Sequence, residues 1–346
     1  MLTCTFAPTV LAGPRVVGGG RAGQNPMEGL EGDALLERTL EPVRQAEALG
    51  VDYLLVAQRW WGSGEETEGS SYDCLAMTSL YAAHTRRIRL ITAIHPGFFL
   101  PGPIAKWGAT LDRLTGGRWS INITSGWNLD EFGMYGAELL EHDERYARSA
   151  EFIEVLRGAW SQRGFSYRGR FYRVDDLKLD PPPRGQLEVF QGGQSDAAVE
   201  MASSHADWMF LNGGPPGKIG PLIERARKRA EDRGRRLCFA LYGIPHCRAS
   251  DAEAEAEVEA MAAAVDDELL ARRRRKVVGA EGMWREKDDR LAMLDSNEGF
   301  ASRLIGSPAT ILERMREFHA LGVDCFLVLL HDERFNREVL PALREF

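Results

Sequence analysis

The 346-residue sequence has no C-x-x-C pair and no excess of positive charge, and no secretory leader is expected. It also lacks any uninterrupted apolar run of about 18 residues, so no membrane-spanning helix is expected. Its five cysteines (Cys4, Cys74, Cys238, Cys247, Cys325) are odd in number and scattered. Such usage argues against a disulfide frame or a cysteine zinc site and points to reduced, buried thiols. Lys plus Arg is 43 against 51 for Asp plus Glu, a net charge of −8. A net anion is poorly suited to nucleic acid or an anionic membrane surface, so the expected partner is a small molecule. The seven histidines show no H-x-x-x-H or H-E-x-x-H spacing, and no metal is expected. There is no G-x-S-x-G either, which leaves nucleophilic hydrolysis unsupported. With no cationic leader before Pro8, a cytoplasmic chain is expected.

What is present is a regular alternation. Apolar, strand-like runs occur at Thr3–Ala7, Tyr53–Val56, Ile88–Ile94, Trp119–Ile123, Leu187–Gln191, Trp208–Leu211, Leu237–Ile244 and Cys325–Leu330. They are mostly continuous, as expected where both faces of a parallel strand are covered. Eight amphipathic stretches accompany them: Ala34–Leu49, Cys74–His84, Pro103–Leu114, Asp143–Trp160, Asp196–His205, Ile219–Arg233, Ala252–Arg275 and Ser307–Leu321. Eight units without an obvious linker predict an α/β fold, a single (β/α)8 TIM barrel over residues 1–346. Three segments exceed a minimal barrel: Gly13–Gly32, Phe165–Asp180, which reads as a hairpin, and Val277–Leu304. In a barrel, loops that follow strands surround the active site, so insertions at that face are expected to close over a ligand.

The motifs separate into weak and useful ones. Gly18 to Gly23 formally matches G-x-G-x-x-G, but Pro26, Gly29 and Gly32 follow, so no helix starts there to face a pyrophosphate. Gly213 to Lys218 is one residue short of a phosphate loop and has no Ser or Thr after the Lys. Arg272–Lys276 ends a Glu-rich helix, a polarity that complements the helix dipole. Gly192-Gly193-Gln194-Ser195-Asp196 is stronger: it joins a strand to a helix with Ser195 as N-cap. Such a turn offers free N–H groups to an anion, although an ordinary βα turn looks the same. His142-Asp143-Glu144-Arg145-Tyr146 opens another helix; capping accounts for its acids, but not for a cation beside a phenol. Asn122 ends a strand where its amide would face the barrel mouth. His95 and His331 follow the third and eighth strands and are candidates for the same mouth.

Taken together, Arg118–Trp127, His142–Tyr146 and Gly192–Ser195 resemble the bacterial-luciferase-like, two-component flavin monooxygenases, most closely the dimethylsulfone monooxygenase branch. The resemblance implies a (β/α)8 barrel that takes reduced FMN (FMNH2) from a separate NAD(P)H-dependent flavin reductase. It implies O2 as co-substrate, a flavin (hydro)peroxide and insertion of one oxygen into a small substrate such as dimethylsulfone, with C–S cleavage. Carried over by position, the FMN contacts are Gln58, Arg59, Asn122, Glu131, Arg145, Tyr146, Gly192, Gly193 and Ser195. Asn122, His95 and His331 are the candidate catalytic residues. Candidate pocket walls are Trp60, Trp61, Phe98, Phe99, Trp127 and Tyr242; ordinary packing is the alternative for each. Alkanesulfonate enzymes carry an Arg and a His on the seventh strand where this chain has Tyr242 and Ile244, which argues against an anionic sulfonate. The other readings are the same chemistry on an amide or C–N substrate in a biosynthetic pathway, and a non-catalytic flavin- or F420-binding barrel. By family habit the chain is expected to be a homodimer or homotetramer.

Overall fold

The structure is a computed structural model that describes residues 1–12, 29–61, 68–265, 267–268, 271, 291–295 and 297–345. Eight strands close into a parallel barrel: β1 (Leu2–Phe6), β2 (Tyr53–Val56), β3 (Arg89–Ile94), β4 (Trp119–Ile123), β5 (Val189–Gly192), β6 (Trp208–Leu211), β7 (Cys238–Gly243) and β8 (Cys325–Val328). Each strand pairs with its neighbour in sequence, and β8 pairs with β1. All eight expected strands are there, within a few residues.

Alternation along each strand builds two cores. Inward residues such as Cys4, Leu55, Ile91, Phe190, Phe210, Tyr242 and Leu327 fill the barrel. Their outward neighbours, Leu54, Leu90, Ile121, Val189, Met209, Leu241 and Phe326 among them, meet the helices. Continuous apolar runs follow, because both faces of every strand are buried. The N-terminal end of the barrel is closed by polar pairing around Glu188. Its carboxylate accepts hydrogen bonds from Tyr53 Oη at 3.2 Å, Trp208 Nε1 at 3.2 Å and Ser120 Oγ at 3.3 Å, and pairs with Arg89. The opposite end is left to the loops.

Helices α1 (Gly32–Ala48), α2 (Cys74–His84), α3 (Pro101–Thr115), α4 (His142–Ser161), α5 (Asp196–His205) and α6 (Pro216–Glu231) follow the first six strands in order. Side-chain caps start two of them: Asp73 accepts from Ala76 N–H at 2.7 Å at the head of α2, and Ser195 caps α5. The seventh and eighth units differ from the simple alternation. Both α7 (Asp251–Ala263) and α8 (Pro308–Leu321) lie between β7 and β8, and β8 is followed by a π turn at Phe335–Val339 and a 3-10 turn at Leu340–Glu345. Only Ala254 and Val258 of α7 are buried. It stands beside the short strand pair His246–Cys247 and Ile305–Gly306, while α8 packs on α6 within the outer ring.

Phe165–Arg168 and Arg173–Leu177 form an antiparallel hairpin. Glu151 of α4 accepts the N–H groups of Arg170, Phe171 and Tyr172 at 2.8, 2.9 and 3.2 Å, and Tyr172 Oη donates to the Pro96 carbonyl at 3.0 Å. The hairpin thereby braces the loop after β3. Most of the Gly-rich segment, the run Arg272–Lys276 and residues 277–290 lie outside the described residues. Among the described residues no helix is long and apolar enough to cross a membrane.

Candidate active site

Asn122 pairs in register with Ala93 on β3 and Phe190 on β5, both interior residues. Its side chain therefore faces the barrel axis, one residue from the C-terminal end of β4. Nδ2 donates to Thr124 Oγ1 at 3.4 Å, while Oδ1 is buried with no hydrogen-bond partner among the described residues. Just after β2, Gln58 Oε1 accepts the His95 N–H at 2.7 Å, and Gln58 Nε2 is buried without a partner among the same residues. Buried polar atoms are nearly always satisfied. An orphan acceptor and an orphan donor thus lie at one barrel mouth, where a polar ligand or water can pair with them.

Glu131, on the short helix Leu129–Met134, ties this mouth together. One carboxylate oxygen accepts the N–H groups of Trp60 at 3.2 Å and Trp61 at 3.3 Å, and lies 3.7 Å from Arg59 Nη1. Arg59 and Glu131 are 6% and 1% exposed, and the guanidinium also rests over the Trp127 ring at 4.1 Å. Burial holds the Glu131 carboxyl above its ordinary pKa, against the pull of Arg59. Trp60 is the hub of an aromatic wall, with ring centroids of Tyr135, Phe98 and Phe99 at 5.1, 5.6 and 5.8 Å. Trp61, at 39% exposure, sits on the rim, and Tyr242 lies inside the barrel with its ring edge against Phe6 at 5.8 Å.

His95 is buried, and burial together with Arg59 lowers its pKa to about 3. Its imidazole is neutral throughout the physiological range. The unfolded chain takes up this proton near pH 6.5 and the folded chain does so only near 3. Stability from this group is thus fully present above 6.5 and is lost as pH falls toward 3. At pH 4.5 the loss is about 2–3 kcal/mol. His95→Gln is expected to flatten acid unfolding over that window; denaturant melts at pH 7 and 4.5 check it, and an unchanged difference would remove His95 as its source.

The second cluster joins the starts of α4 and α5. Ser195 caps α5, its Oγ accepting the Ala198 N–H at 3.2 Å, so the hydroxyl proton remains to be donated. Gly193 has φ +131°, and a Cβ there would meet Tyr146 Oη at 2.8 Å and Ala198 Cβ at 3.1 Å. Tyr146 is therefore laid directly against the turn after β5, with the His142 ring 5.0 Å from its own. Arg145 is buried and donates to the Leu140 carbonyl at 2.9 Å. Gly192 differs from its neighbour: a Cβ on it would meet only Thr124 Oγ1, at 3.5 Å.

His331 follows the C-terminal end of β8. It is exposed beyond the end of β8, and its charged neighbours are Asp332, His246 and Arg248. Asp332 is the anchored residue there, accepting from Cys247 N–H at 2.8 Å and Phe335 N–H at 2.9 Å. Three residues outside the motifs belong to the mouth or its support. Tyr135 Oη donates to the Trp60 carbonyl at 2.9 Å. Gln191 is wholly buried against Gly192, with its Oε1 unpartnered among the described residues. Arg148 is buried one helical turn beyond Arg145.

The luciferase-like monooxygenase family model matches residues 14–325. The chain belongs to this family. It is 38% identical over 313 residues to an FMNH2-dependent dimethylsulfone monooxygenase of Pseudomonas fluorescens (strain Pf0-1), covering 87% of this chain and 85% of that protein. A Pseudomonas putida protein of the same name is 37% identical over 315 residues, covering 87% and 86%. Among solved structures, EDTA monooxygenase from Chelativorans sp. BNC1 shares the fold with a TM-score of 0.76 at 21% identity, covering 100% of this chain and 94% of that one. The family's barrel is the one described above.

Proposed function

We propose that this chain is an FMNH2- and O2-dependent monooxygenase acting on a small neutral organosulfur compound such as dimethylsulfone, cleaving C–S to a sulfinate and an aldehyde. The names of its Pseudomonas relatives support the activity. The observation that carries the cofactor is the meeting of two helix starts, where Gly193 leaves no room for a Cβ beside Tyr146 Oη. Free N–H groups, the Ser195 hydroxyl and the Arg145 cation fit a phosphomonoester there. The orphaned Asn122 Oδ1 and Gln58 Nε2 fit the polar edge of a flavin ring.

Reduced FMN, when bound, supplies the electrons that activate O2. The protein's part is orientation and exclusion of water. Asn122 and Gln58 fix the ring edge, and Trp60, Phe98 and Phe99 wall the mouth against solvent. Glu131 holds Arg59 and the Trp60–Trp61 backbone in place. Arg59 is matched by Glu131 and His95 is neutral, so the mouth carries little net charge and favours an uncharged substrate. A separate NAD(P)H-dependent flavin reductase supplies the cofactor, and the whole chain acts as one barrel domain in a homo-oligomer.

The test is product analysis with a flavin reductase, NADH, O2 and a panel of dimethylsulfone, methanesulfonate and a simple amide. Formaldehyde and methanesulfinate should appear with dimethylsulfone alone. Turnover of only the sulfonate or only the amide would overturn the substrate assignment.

A further inference from the structure

Gln191 is wholly buried on β5, where it pairs in register with Ile123 of β4 and Met209 of β6. Those two side chains belong to the outer, helix-facing core, so a neutral amide stands in an otherwise apolar layer. It lies directly under the turn after β5: a Cβ on Gly193 would come within 3.3 Å of Gln191 Nε2, beside Tyr146 Oη and Ala198 Cβ. Nε2 donates to the Gly192 carbonyl, whereas Oε1 has no hydrogen-bond partner among the described residues. A buried acceptor without a partner costs stability, and an apolar side chain of the same length would avoid that cost. Stability alone therefore does not account for a glutamine here. Its one bond has a directional consequence. A trans peptide sets its C=O and N–H on opposite sides. With the Gly192 carbonyl held toward Gln191 in the outer layer, the Gly193 N–H turns the other way, toward the barrel mouth. That N–H makes no hydrogen bond among the described residues.

We propose that Gln191 is a positioning residue for the flavin phosphate: by holding the Gly192 carbonyl it keeps the Gly193 N–H aimed into the phosphate site. This role rests on the FMN reading above and adds to it a residue that touches no ligand. An N–H donated to a phosphate oxygen is a charge-assisted bond, and its strength depends on direction. Without the amide, the Gly192–Gly193 peptide is free to turn, and Gly193, with φ +131° and no Cβ, offers little resistance. The effect should fall on FMN and spare riboflavin, which has the same ring and no phosphate.

The experiment titrates ligand-free wild type and Gln191→Met with FMN and with riboflavin by flavin fluorescence, and records thermal melts without flavin. For Gln191→Met, FMN affinity should fall about tenfold, as for loss of one charge-assisted hydrogen bond, while riboflavin affinity stays at the wild-type value. Its melting temperature without flavin should stay close to wild type, because the lost bond and the removed unpaired acceptor offset each other. Equal weakening of both flavins, or a Met variant that melts well below wild type, would make the residue structural and overturn the proposal. Unchanged FMN affinity would overturn it as well. Should the Met variant not fold, wild type carrying isotope-labelled glycine decides. The NMR signal of the Gly193 amide, assigned by its absence from Gly193→Ala, should move on adding FMN and stay in place on adding riboflavin. An amide that ignores FMN, or responds alike to both flavins, sinks the assignment. Wild type binding riboflavin as tightly as FMN would instead remove the phosphate site itself, a failure of the FMN reading that the wild-type titration alone reveals.

Discussion

Gly193→Ala is expected to leave the barrel folded and weaken FMN binding by roughly 10- to 100-fold, from about 1–3 kcal/mol of strain. At φ +131° an alanine is strained whatever the surrounding space. Its methyl would also lie 2.8 Å from Tyr146 Oη, and the movable partner in that clash is the phenol. The barrel is spared because Tyr146 swings away, but Tyr146 is then lost from the site. The neighbouring glycine supplies the contrast. Gly192→Ala should have a much milder effect, its methyl reaching only ordinary contact with Thr124 Oγ1 at 3.5 Å. Adding Tyr146→Phe to Gly193→Ala should recover part of any lost melting temperature and none of the lost affinity. Fluorescence titration of the four proteins decides; equal affinity for FMN in wild type and Gly193→Ala would refute the placement of the phosphate.

Much of this architecture was legible locally. The eight strands were visible because each is apolar on both faces, and the turns at Gly192–Ser195 and His142–Tyr146 because a strand or loop gives way to a helix within five residues. The seventh unit was not. Residues 251–263 alternate Ala and Glu, a composition that forms helix readily but carries too little apolar surface to show whether it joins the ring. The site's cohesion was equally hidden. Glu131 meets the N–H groups of Trp60 and Trp61 from 70 residues away, and no local pattern encodes such a contact. Arg148 left a faint trace, a second arginine three residues after Arg145 at a helix end that favours acids. The orphan atoms of Asn122, Gln58 and Gln191 exist only once the chain has closed around them.

Glu131 should separate charge from shape. Glu131→Ala removes the acceptor of the Trp60 and Trp61 N–H groups and leaves a gap beside Arg59, a loss of about 2–4 kcal/mol. It should therefore show a clear fall in melting temperature together with loss of turnover. Glu131→Gln should behave differently. Its carbonyl oxygen still serves the Trp60 and Trp61 N–H groups, and Arg59 keeps the Trp127 face at 4.1 Å. Burial raises the Glu131 pKa above the ordinary 4.5, so the folded chain holds this proton to a higher pH than the unfolded chain does. Stability from the carboxyl is accordingly greatest below 4.5 and declines as pH rises through the folded value. Wild type and Glu131→Gln should match in acid, and at pH 7 the glutamine protein should be at least as stable. Melts at pH 4 and 7 test this: a glutamine variant as unstable as the alanine one would mean the ion pair itself supports the mouth. If the glutamine variant is stable and turns over slowly, the negative charge is kept for what it does to Arg59 beside the ligand.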